Sequence, residues 1–118
     1  MSESEVHKVC SRFHAAIEMI GTRWSGAILR AIFTGHHRYA EIKAAIPGVS
    51  DTMLASRLRS MEADGLIVRQ VVPASSVQVH YELTEMGRDL APTIDSMIEW
   101  AHKWIPLDEA DARREHTA

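Results

Sequence analysis

Apolar residues recur at helical period through the first 63 positions, then switch to a period of two, then return to helical spacing. Phe13, Ile17 and Ile20 mark a first short helix that ends at Gly21. Trp24, Ile28 and Ile32, with Leu29 and Phe33 beside them, mark a second, stopped by Gly35. Tyr39, Ile42 and Ile46 mark a third, broken at Pro47-Gly48. Ser50 is an N-cap candidate for the next, SDTMLASRLRSMEADG, in which Leu54, Leu58 and Met61 form one apolar stripe and Gly65 is the stop. Thr52, Ser56 and Arg59 point the opposite way, with Met53, Ala55 and Arg57 on the flanks. Such a helix can lie on a core and present short polar and arginine side chains to something else.

At Leu66 the character changes. LIVRQVV (66–72) and VQVHYEL (77–83) are rich in β-branched residues, and in the second Val77, Val79, Tyr81 and Leu83 alternate with polar residues. The loop between them begins at Pro73, so the pair reads as a hairpin that must pack on the helices to be stable. Thr84 can cap a last helix, in which Leu90, Ile94, Met97, Ala101 and Trp104 form an a/d-type seam widened by Ile98, Trp100 and Ile105. Pro92 kinks this helix or marks its true start. The resulting organisation is a flexible N-terminal arm over 1–11, one folded domain over 12–105, and a disordered polar tail over 106–118.

Helix, short turn with glycine, helix, then hairpin is the order of a winged helix-turn-helix, so the fold class is mainly α with a β-hairpin. The segments that follow this order also resemble the HxlR-type transcriptional regulators, small winged-helix proteins related to the MarR group. The resemblance runs from about Cys10 to Trp104. It is carried by I-G-x-x-W (20–24), R-Y-x-E-I (38–42), I-P-G-V-S (46–50), L-x-x-R-L-x-x-M-E-x-D-G-L (54–66) and Y-x-L-T-x-x-G (81–87). What the resemblance implies is a homodimer that binds palindromic double-stranded operators and represses, or sometimes activates, nearby genes. Several members sense oxidants or electrophiles through a cysteine that aligns with Cys10; where they place proline after it, this chain has Ser11.

Residue chemistry assigns candidate roles within that frame. Thr52, Met53 and Ser56 are best placed for base edges, the Thr52 methyl or Met53 against a thymine methyl. Ser50 is placed to bond a phosphate if its hydroxyl is not taken by its own cap. Arg57 and Arg59 reach guanine or phosphate, Arg59 being the more outward, while Arg57 can instead brace the helix against Glu62 or Glu41. Asp51 favours the helix dipole and could accept from cytosine N4. Arg38 and Lys43 on the preceding helix, and Arg69, Ser75 and Ser76 in the wing, are phosphate candidates. With no Lys or Arg between Pro73 and Val77, the wing tip is weakly basic. Phe13, Ile17, Leu90, Ile94, Met97, Ile98, Ala101 and Trp104 are the candidate dimer interface.

Composition adds three points. The formal net charge of −3 over 118 residues hides a basic centre: Arg23 to Arg59 carries six basic residues against two acids, net +4, leaving −7 elsewhere. The single cysteine, Cys10, excludes an intramolecular disulfide. No apolar run suits a membrane span or a secretion signal, so the expectation is a cytoplasmic protein without a membrane partner. Cys10 is flanked by Lys8 and Arg12, whose charges favour a reactive thiolate, and it is equally readable as an inert thiol. His7, Cys10 and His14 share a helical face, but three such residues fall together by chance in a chain with seven histidines, so no metal and no cofactor is expected. G-x-S-x-G, glycine-rich phosphate loops, H-E-x-x-H and C-x-x-C are all absent, which argues against an enzyme. The alternatives left are a winged helix that contacts only protein, and a regulator answering a small ligand without cysteine chemistry.

Overall fold

The computed structural model describes residues 8–73 and 76–117. Its elements in order are α1 (Ser11–Gly21), α2 (Ser25–Phe33), α3 (Tyr39–Ala45), α4 (Asp51–Ala63), β1 (Ile67–Val72), β2 (Gln78–Leu83), α5 (Glu85–Arg88), α6 (Ala91–Trp104) and α7 (Leu107–Thr117). This is a mainly helical chain with one antiparallel hairpin, the winged helix-turn-helix order.

The core is built where the periodicity places it. Ile28, Leu29 and Ile32 of α2, Ile42 of α3, and Leu54, Leu58 and Met61 of α4 are buried together with Ile46, Val49, Leu66 and Ile67. Each fully buried leucine or isoleucine contributes roughly 1.5–3 kcal/mol relative to exposure, so this cluster fixes α4 on α2 and α3. The α3–α4 turn passes through Gly48 at φ 91, a left-handed conformation that glycine adopts without a Cβ clash. Ser50 Oγ then accepts from the Met53 amide at 3.1 Å and caps α4. At the far end Gly65 (φ 84) gives its amide to Glu62 O and Leu66 gives its amide to Met61 O, a Schellman stop that turns the chain into β1.

The strands pair from Ile67 with Leu83 to Val72 with Gln78. The simple alternation expected of β2 is not what burial shows: all six residues are half-buried. The polar face is covered because the segment before α3 lies against it. The Tyr81 amide donates to His37 O at 2.7 Å, and the Arg38 guanidinium donates to Gln78 Oε1 at 2.7 Å.

Thr84 joins three elements. Its hydroxyl bonds the carbonyls of Gly65 and Leu66, and its oxygen accepts from the Gly87 amide at 3.1 Å. Pro92 proves to mark a start rather than a kink: α5 is one turn, and α6 begins at Ala91 with proline in its first turn, where no amide partner is needed.

Two expectations need correction. Ile94 is buried in the subunit's own core, at 8% exposure, and so does not belong to a dimer surface. The tail assigned to disorder is helical over Leu107–Thr117. Asp108 and Glu109 lie in its first turn, where the helix dipole favours acids, and Arg113 pairs with Glu109 at 2.9 Å one turn away. A helix that is polar all round is held by such pairs, not by an apolar stripe. No helix among the described residues is long and apolar enough to cross a membrane.

Candidate nucleic-acid interface

The N-terminal half of α4 is presented outward as the sequence pattern requires. Thr52 is exposed, Ser56 is half-buried, and Met53 is half-buried with part of its side chain against the core. The cap uses one lone pair of Ser50 Oγ and leaves its O–H free to donate, so capping and a phosphate contact do not exclude each other.

The basic residues around α4 differ in what they touch. Arg59 is exposed and makes no hydrogen bond or ion pair among the described residues. It lines a cleft of ≈ 340 Å³ between α4 and the hairpin, with Arg69, Glu62, Tyr39 and Tyr81 around it and Leu58 beneath. Arg59 from the helix and Arg69 from the wing thus line the same cleft. Arg57 faces the other way. Its Nε donates to the backbone carbonyl of Arg23 at 2.8 Å, and neither Glu62 nor Glu41 pairs with it. That bond fixes the peptide that leads into Trp24, which holds φ 75, an unfavourable region for a bulky residue. The Arg23 guanidinium stands 5.4 Å from the Trp24 ring and adds a cation–π contact.

The turn between α3 and α4 carries a polar cluster that the sequence pattern did not reveal. Lys43 Nζ lies 3.0 Å from Asp51 Oδ1. Tyr39 Oη is within hydrogen-bond reach of the same Oδ1 at 3.0 Å and of Asp51 O at 3.1 Å. The hydrogen bonds from Lys43 and then Tyr39 hold the Asp51 carboxyl below the usual carboxylate range. Burial, then the hydrogen bond to Asp51, raises the Tyr39 phenol, so it remains a donor at neutral pH. Tyr39 and Lys43 are four residues apart on one helix and face the first turn of the next. That spacing is the signal the sequence carries for the cluster, masked because Lys43 and Asp51 each also read as DNA contacts.

Arg38 is tied to the wing through Gln78, and its amide donates to Glu41 Oε1 at 3.0 Å at the start of α3. Ser76 is exposed beside the hairpin; Ser75 lies outside the described residues. His36 Nδ1 faces Ala31 O at 3.0 Å, and His37 Nδ1 faces Tyr81 O at 3.1 Å. Both loop histidines therefore serve the packing of α2 and the wing.

Cys10 is exposed at the residue preceding α1. Its thiol is held below its ordinary pKa by the backbone amides of Phe13 first and Arg12 second, the free N–H groups of the helix start. The sequence pointed to neighbouring cations as the cause; the helix end supplies it instead. His7 lies outside the described residues, and among those described no group of three or more His, Cys, Asp or Glu is arranged to hold a metal.

The apolar surface is on the terminal helices. α1 buries none of its own residues. Phe13 and Ile17 are exposed, as are Met97, Trp100 and Trp104 on α6, at 60%, 56% and 62%. Leu90 and Ile98 are half-buried against the core.

A family model described as HxlR-like helix-turn-helix matches residues 19–109, which include every element from α2 to α6. The chain belongs to the HxlR family. The uncharacterized HTH-type transcriptional regulator YvaP of Bacillus subtilis is 36% identical over 105 residues, covering 89% of this chain and 94% of that protein. The HTH-type transcriptional regulator YodB of the same organism is 36% identical over 96 residues, covering 81% and 86%. The structure of reduced YodB superposes with a TM-score of 0.73 at 36% identity, over 83% of this chain and 96% of that one. The oxidized form of the redox regulator HypR does so with 0.75 at 31% identity, over 81% and 99%. Like its HxlR relatives, the protein is a DNA-binding transcriptional regulator and not an enzyme. Double-stranded DNA is therefore the partner of the HxlR helix-turn-helix.

Proposed function

We propose that the protein regulates transcription as a homodimer on a palindromic operator, acting as a repressor, with α4 in the major groove. Thr52, Met53, Ser56 and Arg59 read or approach base edges. Ser50, Arg38, Arg69, Ser75 and Ser76 serve the phosphate backbone. Arg57, a candidate for the same surface, acts as an internal brace. The observation that carries this reading is the outward N-terminal half of α4 beside a cleft that Arg59 and Arg69 flank. The second copy is supported by α1: an isolated 11-residue helix is marginal in water, and this one has no fully buried residue, only Met19 and Ile20 at its C-terminal end packing partly against its own core. Phe13, Ile17, Met97, Ala101, Trp100 and Trp104 supply the apolar face that a second copy would cover. A titration of duplex binding against salt tests the reading. Affinity falling linearly with log salt, by about 0.9 per phosphate contact, supports it, and salt-insensitive affinity contradicts it.

An oxidant-responsive role for Cys10 has one observation in its favour. The thiol is exposed and its thiolate is stabilised by the start of α1, a helix of the proposed dimer face. YodB and HypR, solved in reduced, diamide-treated or oxidized forms, are relatives in which redox state has been varied. Loss of an oxidant response in Cys10→Ala with DNA affinity intact would support this role. An equal response in the variant would point instead to a small-molecule effector that does not use the thiol.

A further inference from the structure

We propose that Asp51 is a specificity-determining residue that neutralises the Lys43 charge at the protein surface and thereby keeps sequence-independent DNA affinity low. The inference rests on the DNA-binding reading of α4 and adds to it a role for a residue of the wrong sign.

An acid in the first turn of a recognition helix stands where phosphate approaches, and Asp51 is fixed there from two directions. The Lys43 ammonium lies 3.0 Å from Oδ1, and the hydroxyl of Tyr39 reaches the same oxygen at 3.0 Å. Tyr39 cannot follow a moving carboxylate, because its ring is half-buried against the core and its hydroxyl also faces the Asp51 carbonyl at 3.1 Å. An exposed ion pair is weak and a phosphate could compete for the lysine. Here, however, a phosphate that captured Lys43 would come to rest beside a carboxylate that does not swing away. Without the carboxylate, Lys43 becomes one more cation on the DNA face, able to displace a condensed counterion. Contacts of that kind carry no sequence information. Asp51 therefore removes affinity that does not discriminate and leaves recognition to Thr52, Met53, Ser56 and Arg59.

The test uses the full chain and a generic duplex, with anisotropy measured across a range of salt for wild type, Asp51→Asn, Lys43→Ala and the double variant. Asp51→Asn should bind more tightly, by up to about eightfold per subunit at ~0.1 M salt, with a slope steeper by about 0.9 per subunit. Lys43→Ala alone should change neither affinity nor slope appreciably, and the double variant should return to the Lys43→Ala values. Asp51→Ser, uncharged and suited to a helix start, should reproduce the Asn result and separates charge from folding. Three outcomes would overturn the inference: no gain in Asp51→Asn, a full lost contact in Lys43→Ala alone, or a gain that survives in the double variant. If wild type itself binds no duplex, the DNA-binding reading fails and takes the inference with it. Normal wild-type binding with any of the three outcomes sinks the inference alone.

Discussion

Arg57 and Arg59 are two residues apart on α4, and the structure gives them opposite duties that can be separated in one experiment. Arg57 Nε donates to Arg23 O at 2.8 Å. Removing a hydrogen bond with a charged donor costs about 1.5–3 kcal/mol when the acceptor is left dry. Arg57 is half-buried and Arg23 is exposed, so water partly replaces the donor and the cost falls below that range, to about 1–1.5 kcal/mol. For a chain of 118 residues, 1 kcal/mol corresponds to about 4 °C, so Arg57→Ala should lower Tm by about 4–6 °C. Because its guanidinium faces the turn before α2 and not the cleft, the salt slope of DNA binding should stay as in wild type. Arg59→Ala should do the reverse. It has no partner to lose among the described residues, so Tm should move by no more than about 1 °C, while the slope falls by about 0.9 per subunit. Differential scanning calorimetry and the salt titration, run on both variants, decide the matter. If Arg57→Ala keeps its Tm and loses a contact, the bracing assignment is wrong.

Three further outcomes follow from the same structure. A Cβ at buried Gly87 would lie 2.2 Å from the Leu66 carbonyl oxygen and 3.2 Å from Leu83 Cδ2, so Gly87→Ala should destabilise by about 2–4 kcal/mol in urea melts; a loss below about 1 kcal/mol would show that α5 can shift freely. Trp100→Glu on the exposed face of α6 should weaken self-association at least about thirtyfold by sedimentation equilibrium, and an unchanged constant would remove α6 from the interface. Alkylation of Cys10 should rise with pH to a midpoint below that of a free cysteine thiol, since the amides of Phe13 and Arg12 favour the thiolate; a midpoint at or above the free value would contradict this.

The elements legible in the sequence were those written in side-chain period. The Leu54, Leu58 and Met61 stripe, the Ser50 cap and the Gly65 stop all use residue types whose preference is local, and α4 lies where they put it. What escaped was written in backbone groups or in contacts across a turn. A carbonyl such as that of Arg23 has no signature of its own, so the partner of Arg57 could not be read 34 residues away. The thiolate of Cys10 is favoured by amides for the same reason, and its charged neighbours were the visible but incorrect cause. The Leu90–Trp104 seam looked continuous, yet Pro92 restarts the helix and turns Ile94 into the core. Polarity alone suggested disorder after Pro106, where helix-favouring residues and the Glu109–Arg113 pair give α7. Lys43 and Asp51 each read in the sequence as a DNA contact, because their mutual contact forms only across the turn at Gly48.

The most direct test of the central claim is selection of binding sites from random duplex DNA by the 118-residue chain. A dimer that places α4 of each copy in the major groove should enrich a two-fold symmetric sequence, with half-site centres about one helical turn, ~34 Å, or a multiple of it apart. Enrichment of an asymmetric site, or no enrichment over input DNA, would contradict it.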